Sequence, residues 1–338
     1  MNFIINIIKI IFLLGILVFI HEGGHFIIAK LCKVKVHEFA IGFGKTIWKI
    51  QGKETAYELK LIPLGGFVRM EGEEEKSEKE GSFSKASIPK RIAIVVAGGT
   101  VNIIFGLLIY FVLSVSSGTF FTNEIESIIP GYPADIINLM EGDKIIKIQN
   151  KKINTKQDIN DALNNLKNQE VILLIERNGR QIEYKTKPTE LEYSNETIYV
   201  LGINLKQAEN TLANRIYYAS LETSKFLVSI IDNIKQLFKG NIQKEQLMGP
   251  VGISNVVSET KGFENYIYVI ALVSLSLGVT NLMPFPPLDG GKIILFLIEA
   301  IRKKPLNEKL ESNIQITGFI ILITLSVYIT YNDIFRIF

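Results

Sequence analysis

Two histidines and a glutamate near the N-terminus have the types and the spacing of a zinc site. The chain carries His21-Glu22-Gly-Gly-His25 at the end of an apolar run. Residues i and i+4 of a helix share one face, so His21 and His25 can bind the same zinc ion. Glu22 lies beside the first ligand, where it can take a proton from water that zinc activates. The motif therefore predicts metal-dependent hydrolysis with Glu22 as general base.

The context of this motif favours function over coincidence. The chain has only three histidines, and two of them would fall in one such motif by chance on the order of once in several hundred chains. An ionisable cluster at the end of a membrane-spanning run is costly and usually functional. The alternative is a pair of interfacial histidines with Glu22 reaching into water.

A catalytic zinc ion needs a third protein ligand. His37 is twelve residues beyond His25 and past an expected chain turn, and Cys32 fits better as a small apolar residue at the helix end. Asp289 is the better candidate, because it follows a proline-rich stretch that must break a membrane helix and line a cavity. The alternative is a structural kink in which Asp289 caps the next helix.

Apolar residues, 47% of the chain, occur in blocks, whereas charged residues make up 21%. Four blocks have about the 20 residues that a helix needs to cross a bilayer: residues 3–20, 92–115, 266–288 and 314–332. The first could be a signal peptide, but no cleavage site follows it. The net charge of +3 is too small to indicate a nucleic-acid partner, and a single cysteine excludes an intrachain disulfide framework.

The basic residues of the short loops predict the orientation. Residues 30–91 contain 13 Lys or Arg against 9 Asp or Glu, and residues 302–309 contain four basic side chains. Both segments should therefore be cytoplasmic, and the long segment 120–264 should lie outside, as should both chain ends.

The outer segment predicts one small α+β domain. A strand and a second, short strand are expected over 141–155, joined by a turn at Asn150-Lys151. A helix is expected over 156–167, a hairpin at Asn178-Gly179, and a last strand through 199–205. Residues 129–153 resemble the PDZ pattern, in which a loop, here Gly131, Tyr132 and Pro133, offers N–H groups to a peptide carboxylate. The alternative is a small α+β domain that serves only for packing or as a spacer.

Two further segments flank the spans. Residues 212–238 predict an amphipathic helix, which either rests on the membrane or packs on the outer domain. Residues 54–63 and 66–70 predict strands around a turn at Pro63-Leu64-Gly65. An open strand edge near lipid needs a partner, and a substrate strand is one candidate; a plain hairpin packed on the helices is the other.

Together these motifs resemble the site-2 protease family, most closely its bacterial branch of the regulator of sigma-E protease type. The resemblance rests on HEGGH, on the NxxPxPxLDGG pattern from Asn281 to Gly291, and on the PDZ-like insert. Further matches are IPLGGFVRMEGE at 62–73, GPVGIS at 249–254 and AGGTVNIIFG at 97–106. AGGTVN departs from a more usual AGP-x-x-N, so the role of Asn102 stays open.

The resemblance implies roles for the matching residues. His21, His25 and Asp289 would bind Zn²⁺, and Glu22 would be the base. Asn281 would contact the substrate strand or the oxyanion. The segment with Gly65, Gly66, Phe67 and Val68 would guide substrate as an added strand. The PDZ-like domain would filter substrates by size or tether them.

The sequence thus predicts a polytopic α-helical membrane protein of four spans, with a membrane-associated β-hairpin and an inserted extracytoplasmic PDZ-like domain. The predicted domains are 1–118, 119–208, 209–262 and 263–338. The expected activity is intramembrane zinc proteolysis of single-span proteins, such as anti-sigma factors or remnant signal peptides, in the cell membrane near its cytoplasmic face. The alternatives are a metal carrier or sensor, which leaves Glu22 unexplained, and a silent scaffold for membrane partners.

Overall fold

The structure is a computed structural model that describes residues 2–73, 75, 77–117, 119–193, 196–238, 249–304 and 306–337. The helices are α1 (Asn2–Leu31), α2 (Ile88–Ser117), α3 (Pro133–Ile136), α4 (Lys156–Leu166), α5 (Leu212–Phe238), α6 (Pro250–Glu259), α7 (Phe263–Asn281), α8 (Asp289–Arg302) and α9 (Glu308–Ile337). The strands are β1 (Val36–Gln51), β2 (Ala56–Met70), β3 (Phe121–Ile128), β4 (Lys144–Ile148), β5 (Lys151–Lys152), β6 (Val171–Arg177), β7 (Arg180–Thr186), β8 (Thr189–Tyr193), β9 (Glu196–Val200) and β10 (Ile203–Gln207).

Within these described ranges, four helices are long and apolar enough to cross a bilayer, which confirms the predicted number of spans. The qualifying segments are Ile4–Leu31, Ile88–Ser116, Phe263–Asn281 and Glu308–Phe335. The prediction for the third span was too long, because α7 ends at Asn281 and the proline-rich residues 282–288 are not helical. The first was too short, since α1 continues through the histidine motif to Leu31.

Two compact units make up the chain: residues 1–113 with 226–338, and residues 114–225. In the first unit, glycines bring neighbouring helices together. A Cβ atom at Gly24 of α1 would stand 2.7 Å from the Ala97 carbonyl oxygen of α2. A Cβ at Gly99 of α2 would stand 2.8 Å from the Gly278 carbonyl oxygen of α7. Small residues at these contacts allow close helix packing, as in other membrane bundles.

Strands β1 and β2 form one long antiparallel hairpin that folds back on itself, so that part of each strand pairs twice. Residues 38–41 of β1 pair on one side with 56–59 and on the other with 66–69, while 46–51 pair with 56–60. Strand β2 is continuous from Ala56 to Met70, so the two predicted strands are one. Its two halves nevertheless run in opposite directions along residues 38–41, so the chain folds back between 60 and 66, where the turn at Pro63-Leu64-Gly65 is predicted. Gly42 and Gly44 have φ of 90° and 86°, which accommodates the irregular register of β1.

The second unit contains a six-stranded antiparallel sheet of order β10-β3-β4-β6-β7, with β5 paired to β4. The predicted β6–β7 turn is confirmed, since Asn178 and Gly179 take φ of 51° and 75°. The predicted helix at 156–167 is also confirmed as α4. The single strand predicted through 199–205 is wrong: β9 and β10 are separate, join different sheets and flank Gly202 at φ 76°.

The sheet of this unit folds around its own apolar core. Buried side chains from the strands and from α4 form this core, among them Ile145, Leu163, Leu173 and Ile175. Helix α4 begins with a capping box in which Thr155 and Asp158 bond reciprocally, as a sharp helix start requires. The predicted limits of the four domains stay a prediction.

Candidate metal centre

Helix α1 and the first residue of α8 bring three potential metal ligands together. His21 Nε2 lies 3.2 Å from His25 Nε2. Asp289 Oδ2 lies 3.3 Å from His21 Nε2 and 3.4 Å from His25 Nε2. The three ligand atoms therefore form a nearly equilateral triangle, although Asp289 is separated from the histidines by most of the chain.

This triangle fits a zinc ion. Nitrogen and oxygen atoms that bind zinc tetrahedrally at about 2.0–2.2 Å stand about 3.4 Å apart, which is the spacing found here. Asp289 Oδ2 is buried and accepts no hydrogen bond from the described residues. A buried carboxylate oxygen without a donor is costly, and a cation between the three atoms would remove that cost. Three protein ligands would leave one position of the tetrahedron open.

The chain around Asp289 is folded to bring this carboxylate to α1. The proline-rich loop 282–288 ends α7 and turns the chain into α8, whose first residue is Asp289. Gly291 packs directly on this loop, because a Cβ there would stand 2.7 Å from Pro286 N and 2.8 Å from Phe285 C. The two glycines after Asp289 are therefore part of the geometry that places the carboxylate.

Helix α2 supplies the groups behind both histidine rings. His25 Nδ1 lies 2.8 Å from the Ile94 carbonyl oxygen, so this nitrogen carries the proton and leaves Nε2 free for metal. His21 Nδ1 lies 3.4 Å from Asn102 Nδ2. Gly98 lies between them, and a Cβ there would stand 2.8 Å from His21 Cε1 and 2.7 Å from His25 Cε1.

The sequence did not single out Ile94, and it marked Gly98 only as part of the AGGTVNIIFG match, without a role. The remaining signal is a spacing of four residues along α2, from Ile94 through Gly98 to Asn102. That spacing is equally typical of ordinary helix packing, so it could not separate a supporting role from a core role.

The ligand cluster opens into a cavity of about 890 Å³. Glu22 lines this cavity together with His21, His25 and Asp289, so the predicted base shares one space with the three ligands. Residues Gly66 to Met70 of β2 form another part of the wall. Among the described strands, this segment pairs only with β1, which leaves its other edge unpaired.

Three of the predicted substrate-binding residues, Gly66, Phe67 and Val68, line this cavity. Gly65 packs against Phe43 instead, since a Cβ there would overlap the Phe43 ring. Asn281 is the last residue of α7 and is not among the described residues of the cavity wall. The substrate roles of these residues stay predictions.

The predicted peptide loop of the second unit uses its N–H groups internally. Gly131 N–H donates to Asp135 Oδ2 at 2.8 Å, and Tyr132 N–H points to the Ile129 carbonyl oxygen at 3.4 Å. Pro133 has no N–H, and the N–H of the following Ala134 donates to the Leu201 carbonyl oxygen at 2.9 Å. Peptide binding by this loop stays a prediction.

Comparison with known proteins identifies the family. The model of peptidase family M50 matches residues 9–325. A candidate zinc metalloprotease of Clostridium acetobutylicum is 35% identical over 335 residues, which cover 97% of each chain. A second, from Fusobacterium nucleatum, is 33% identical over the full length of both chains. A third, from Clostridium perfringens, is 35% identical over 94% of this chain and 95% of its own. The chain therefore belongs to peptidase family M50, the site-2 protease family, and is a membrane zinc metalloprotease.

Proposed function

We propose that this protease hydrolyses peptide bonds within or at the edge of the transmembrane segments of single-span membrane proteins. One observation carries the proposal: the His21–His25–Asp289 cluster and Glu22 share a cavity with an unpaired strand edge, and the histidines lie on a helix long enough to span a bilayer. Polar ligands at such a position are usually functional.

In this proposal His21, His25 and Asp289 hold the zinc ion, and Glu22 is the general base. When bound, the ion supplies Lewis-acid polarisation of the scissile carbonyl and activation of water. Glu22 takes the proton from the attacking water and returns it to the leaving amine. Asn281 is proposed to contact the substrate strand or the developing oxyanion.

A transmembrane helix must unwind before it can be cut, because its carbonyl groups are hydrogen bonded within the helix. The open edge of residues 66–70 offers backbone partners to an unwound segment, which would add to the sheet as a strand. Gly66, Phe67 and Val68 would then form the substrate-facing edge, with Gly65 supporting the bend. Substrates should therefore contain helix-weakening residues near the cut.

The second unit is proposed to have a PDZ-like fold outside the cytoplasm. Its predicted carboxylate loop already uses the N–H groups of Gly131 and Tyr132, which favours a size filter or tether over the capture of a peptide C-terminus. Such a filter would admit substrates whose outer part has already been shortened, such as a cut anti-sigma factor or a remnant signal peptide.

Lipid contact is proposed for the β1–β2 sheet. Large apolar side chains on this sheet are exposed, including Ile47 and Leu61 at 61% and Trp48 at 54%. Exposed apolar groups in this number typically mark a membrane or protein contact. With the basic segments 30–91 and 302–309 on the inner side, the zinc site would lie near the cytoplasmic face of the cell membrane.

The test is cleavage of a tagged single-span reporter substrate, co-expressed with the wild-type chain or with Glu22→Gln. Product from the wild type alone would support the proposal, and a reporter whose helix-weakening residues are replaced by leucine should be cut more slowly. Equal product with both chains would sink the assignment of Glu22. A metal carrier, a sensor or a scaffold should keep its function in the Glu22→Gln variant, which separates these alternatives from the protease.

A further inference from the structure

Asn102 lies behind the metal-ligand cluster, fully buried in α2. Its Nδ2 lies 3.4 Å from His21 Nδ1, the ring nitrogen on the far side from Asp289. Its other side-chain atom, Oδ1, is buried and accepts no hydrogen bond from the described residues. The Asn102 side chain therefore leaves its acceptor, Oδ1, unused while its donor, Nδ2, faces the His21 ring.

The tautomer of His21 decides which amide atom belongs against it. A neutral imidazole that binds metal through Nε2 carries its proton on Nδ1 and is a donor there. A donor needs an acceptor opposite it, and the amide NH₂ group is not one. A rotation of the Asn102 amide by about 180° would place Oδ1 against Nδ1–H, which would satisfy both groups.

The backbone of Asn102 is held independently of this contact. Ser274 of α7 donates its hydroxyl proton to the Asn102 carbonyl oxygen at 2.8 Å. Gly98, one turn earlier on α2, leaves the space that both histidine rings occupy. The amide is thus presented from a fixed point of α2 toward the ring.

From this geometry we infer that Asn102 is a positioning residue, which accepts the Nδ1 proton of His21 and so holds Nε2 toward the metal. With the Ile94 carbonyl behind His25, helix α2 then supplies an acceptor to each histidine ligand, and Ile94 and Asn102 lie eight residues apart on that helix. The inference rests on the proposed ligand role of His21. It gives Asn102 a role beyond helix packing.

The proposed role of Asn102 predicts how variants of similar size rank in zinc affinity. Asn102→Asp keeps an acceptor oxygen and makes the carboxylate–histidine–metal arrangement common at zinc sites, so its zinc affinity should equal or exceed that of the wild type. Asn102→Leu keeps the bulk but removes the acceptor, and should bind zinc about 10- to 100-fold more weakly. A purely structural role predicts the reverse order, because leucine suits a buried membrane helix better than a carboxylate does.

The experiment measures zinc affinity of the full-length protein in detergent by competition with a chelator. It compares the wild type with Asn102→Asp, Asn102→Leu, Asn102→Ala and His21→Ala. The Co²⁺ absorption spectrum of each chain serves as a readout independent of activity. Asn313→Leu, on an exposed position of α9, is the matched control for the same replacement in a membrane helix.

Weak zinc binding by Asn102→Leu and Asn102→Ala, with retained binding and a tetrahedral Co²⁺ spectrum in Asn102→Asp, is the expected result. Wild-type affinity in Asn102→Leu, or equal loss in Asn102→Leu and Asn102→Asp, would overturn the positioning role while leaving the protease proposal intact. If Asn102→Leu does not fold, weaker zinc binding by Asn102→Ala than by Asn102→Asp supports the positioning role, and equal zinc affinities of these two variants overturn it. Wild-type zinc affinity in His21→Ala would instead overturn the ligand assignment on which the inference rests.

Discussion

Gly66 of β2 lies so close to Glu22 of α1 that a Cβ atom at position 66 would stand 3.0 Å from Glu22 Cγ. The same atom would stand 2.7 Å from Val18 Cγ1 and 2.8 Å from the Ala40 carbonyl oxygen. A side chain at this position would therefore push the strand edge away from the base. We expect Gly66→Ala to lower the cleavage rate on the order of 10²-fold, because small displacements of a positioned substrate have effects of that size.

The measurement is the initial rate on the reporter substrate, with zinc content determined on the same preparations. Gly66→Val should be slower still, while both variants keep their zinc, because the change affects the strand and not the ligands. Wild-type cleavage by Gly66→Val would show that the close approach of β2 to Glu22 has no role.

Two adjacent glycines of α1 offer a matched pair. Gly24 faces α2, where a Cβ would stand 2.7 Å from the Ala97 carbonyl oxygen, while a Cβ at Gly23 would meet nothing within 4 Å. We expect Gly24→Ala to destabilise the protein by about 1–3 kcal/mol through overpacking. Gly23→Ala should be neutral or slightly stabilising, since alanine is favoured over glycine by up to about 1 kcal/mol inside a helix.

Thermal unfolding of both variants in the same detergent measures this difference. Equal unfolding temperatures for Gly23→Ala and Gly24→Ala would contradict the close α1–α2 packing that the structure shows.

Asp333, 2% exposed in α9, holds the start of α6. Its Oδ2 accepts hydrogen bonds from the N–H groups of Gly249 at 2.9 Å and Gly252 at 2.8 Å. Loss of the carboxylate would leave two N–H groups at a helix N-terminus without their acceptor, so Asp333→Ala should cost about 1–3 kcal/mol or more. This contact also gives a physical reason for the small residues of the segment GPVGIS.

The matched control is Asp232→Ala, which removes an exposed carboxylate from α5 and should change stability by less than about 1 kcal/mol. The measurement is again thermal unfolding in detergent. An Asp333→Ala protein as stable as the Asp232→Ala protein would show that this cap does not stabilise the fold.

The surroundings of Glu71 predict that the folded protein loses stability in acid. Hydrogen bonds from the Ser77 hydroxyl and from His37 lower the pKa of Glu71 from 4.5 to about 2. A carboxyl group with a lowered pKa stabilises the folded state fully above about pH 4.5, and this contribution disappears as the pH falls toward 2. The difference in unfolding temperature between wild type and Glu71→Gln should therefore shrink as the pH falls from about 5 toward 2.

Glu80→Gln, at an exposed position of the same loop, is the control, and its difference from the wild type should change little over this pH range. A wild-type advantage over Glu71→Gln that stays constant down to pH 2 would contradict the prediction.

The local parts of this structure could be predicted from the sequence because their signals are local. The four-residue spacing of His21 and His25 requires a helix, and Asn178-Gly179 specifies a tight hairpin; both are found. The double pairing of residues 56–59, with 38–41 and with 48–51, could not be predicted, because it depends on how the β1–β2 hairpin folds back on itself and not on the residues of one strand.

The surroundings of the ligands were harder to predict for a similar reason. Asp289 could be proposed, because a carboxylate after a proline-rich break at membrane depth needs a function. Ile94 gave no signal, since it acts through a backbone carbonyl that every residue has. The contribution of Gly98 is the absence of a side chain, which becomes meaningful only once α2 is packed against α1.

The most direct test of the central claim measures zinc content and cleavage on the same purified chains. It compares the wild type with His21→Ala, His25→Ala, Asp289→Ala and Glu22→Gln. If three ligands hold the ion and Glu22 acts as the base, the three ligand variants lose both zinc and cleavage, whereas Glu22→Gln keeps zinc and loses cleavage. A Glu22→Gln protein that still cuts, or a His25→Ala or Asp289→Ala protein that keeps wild-type zinc, would contradict the account.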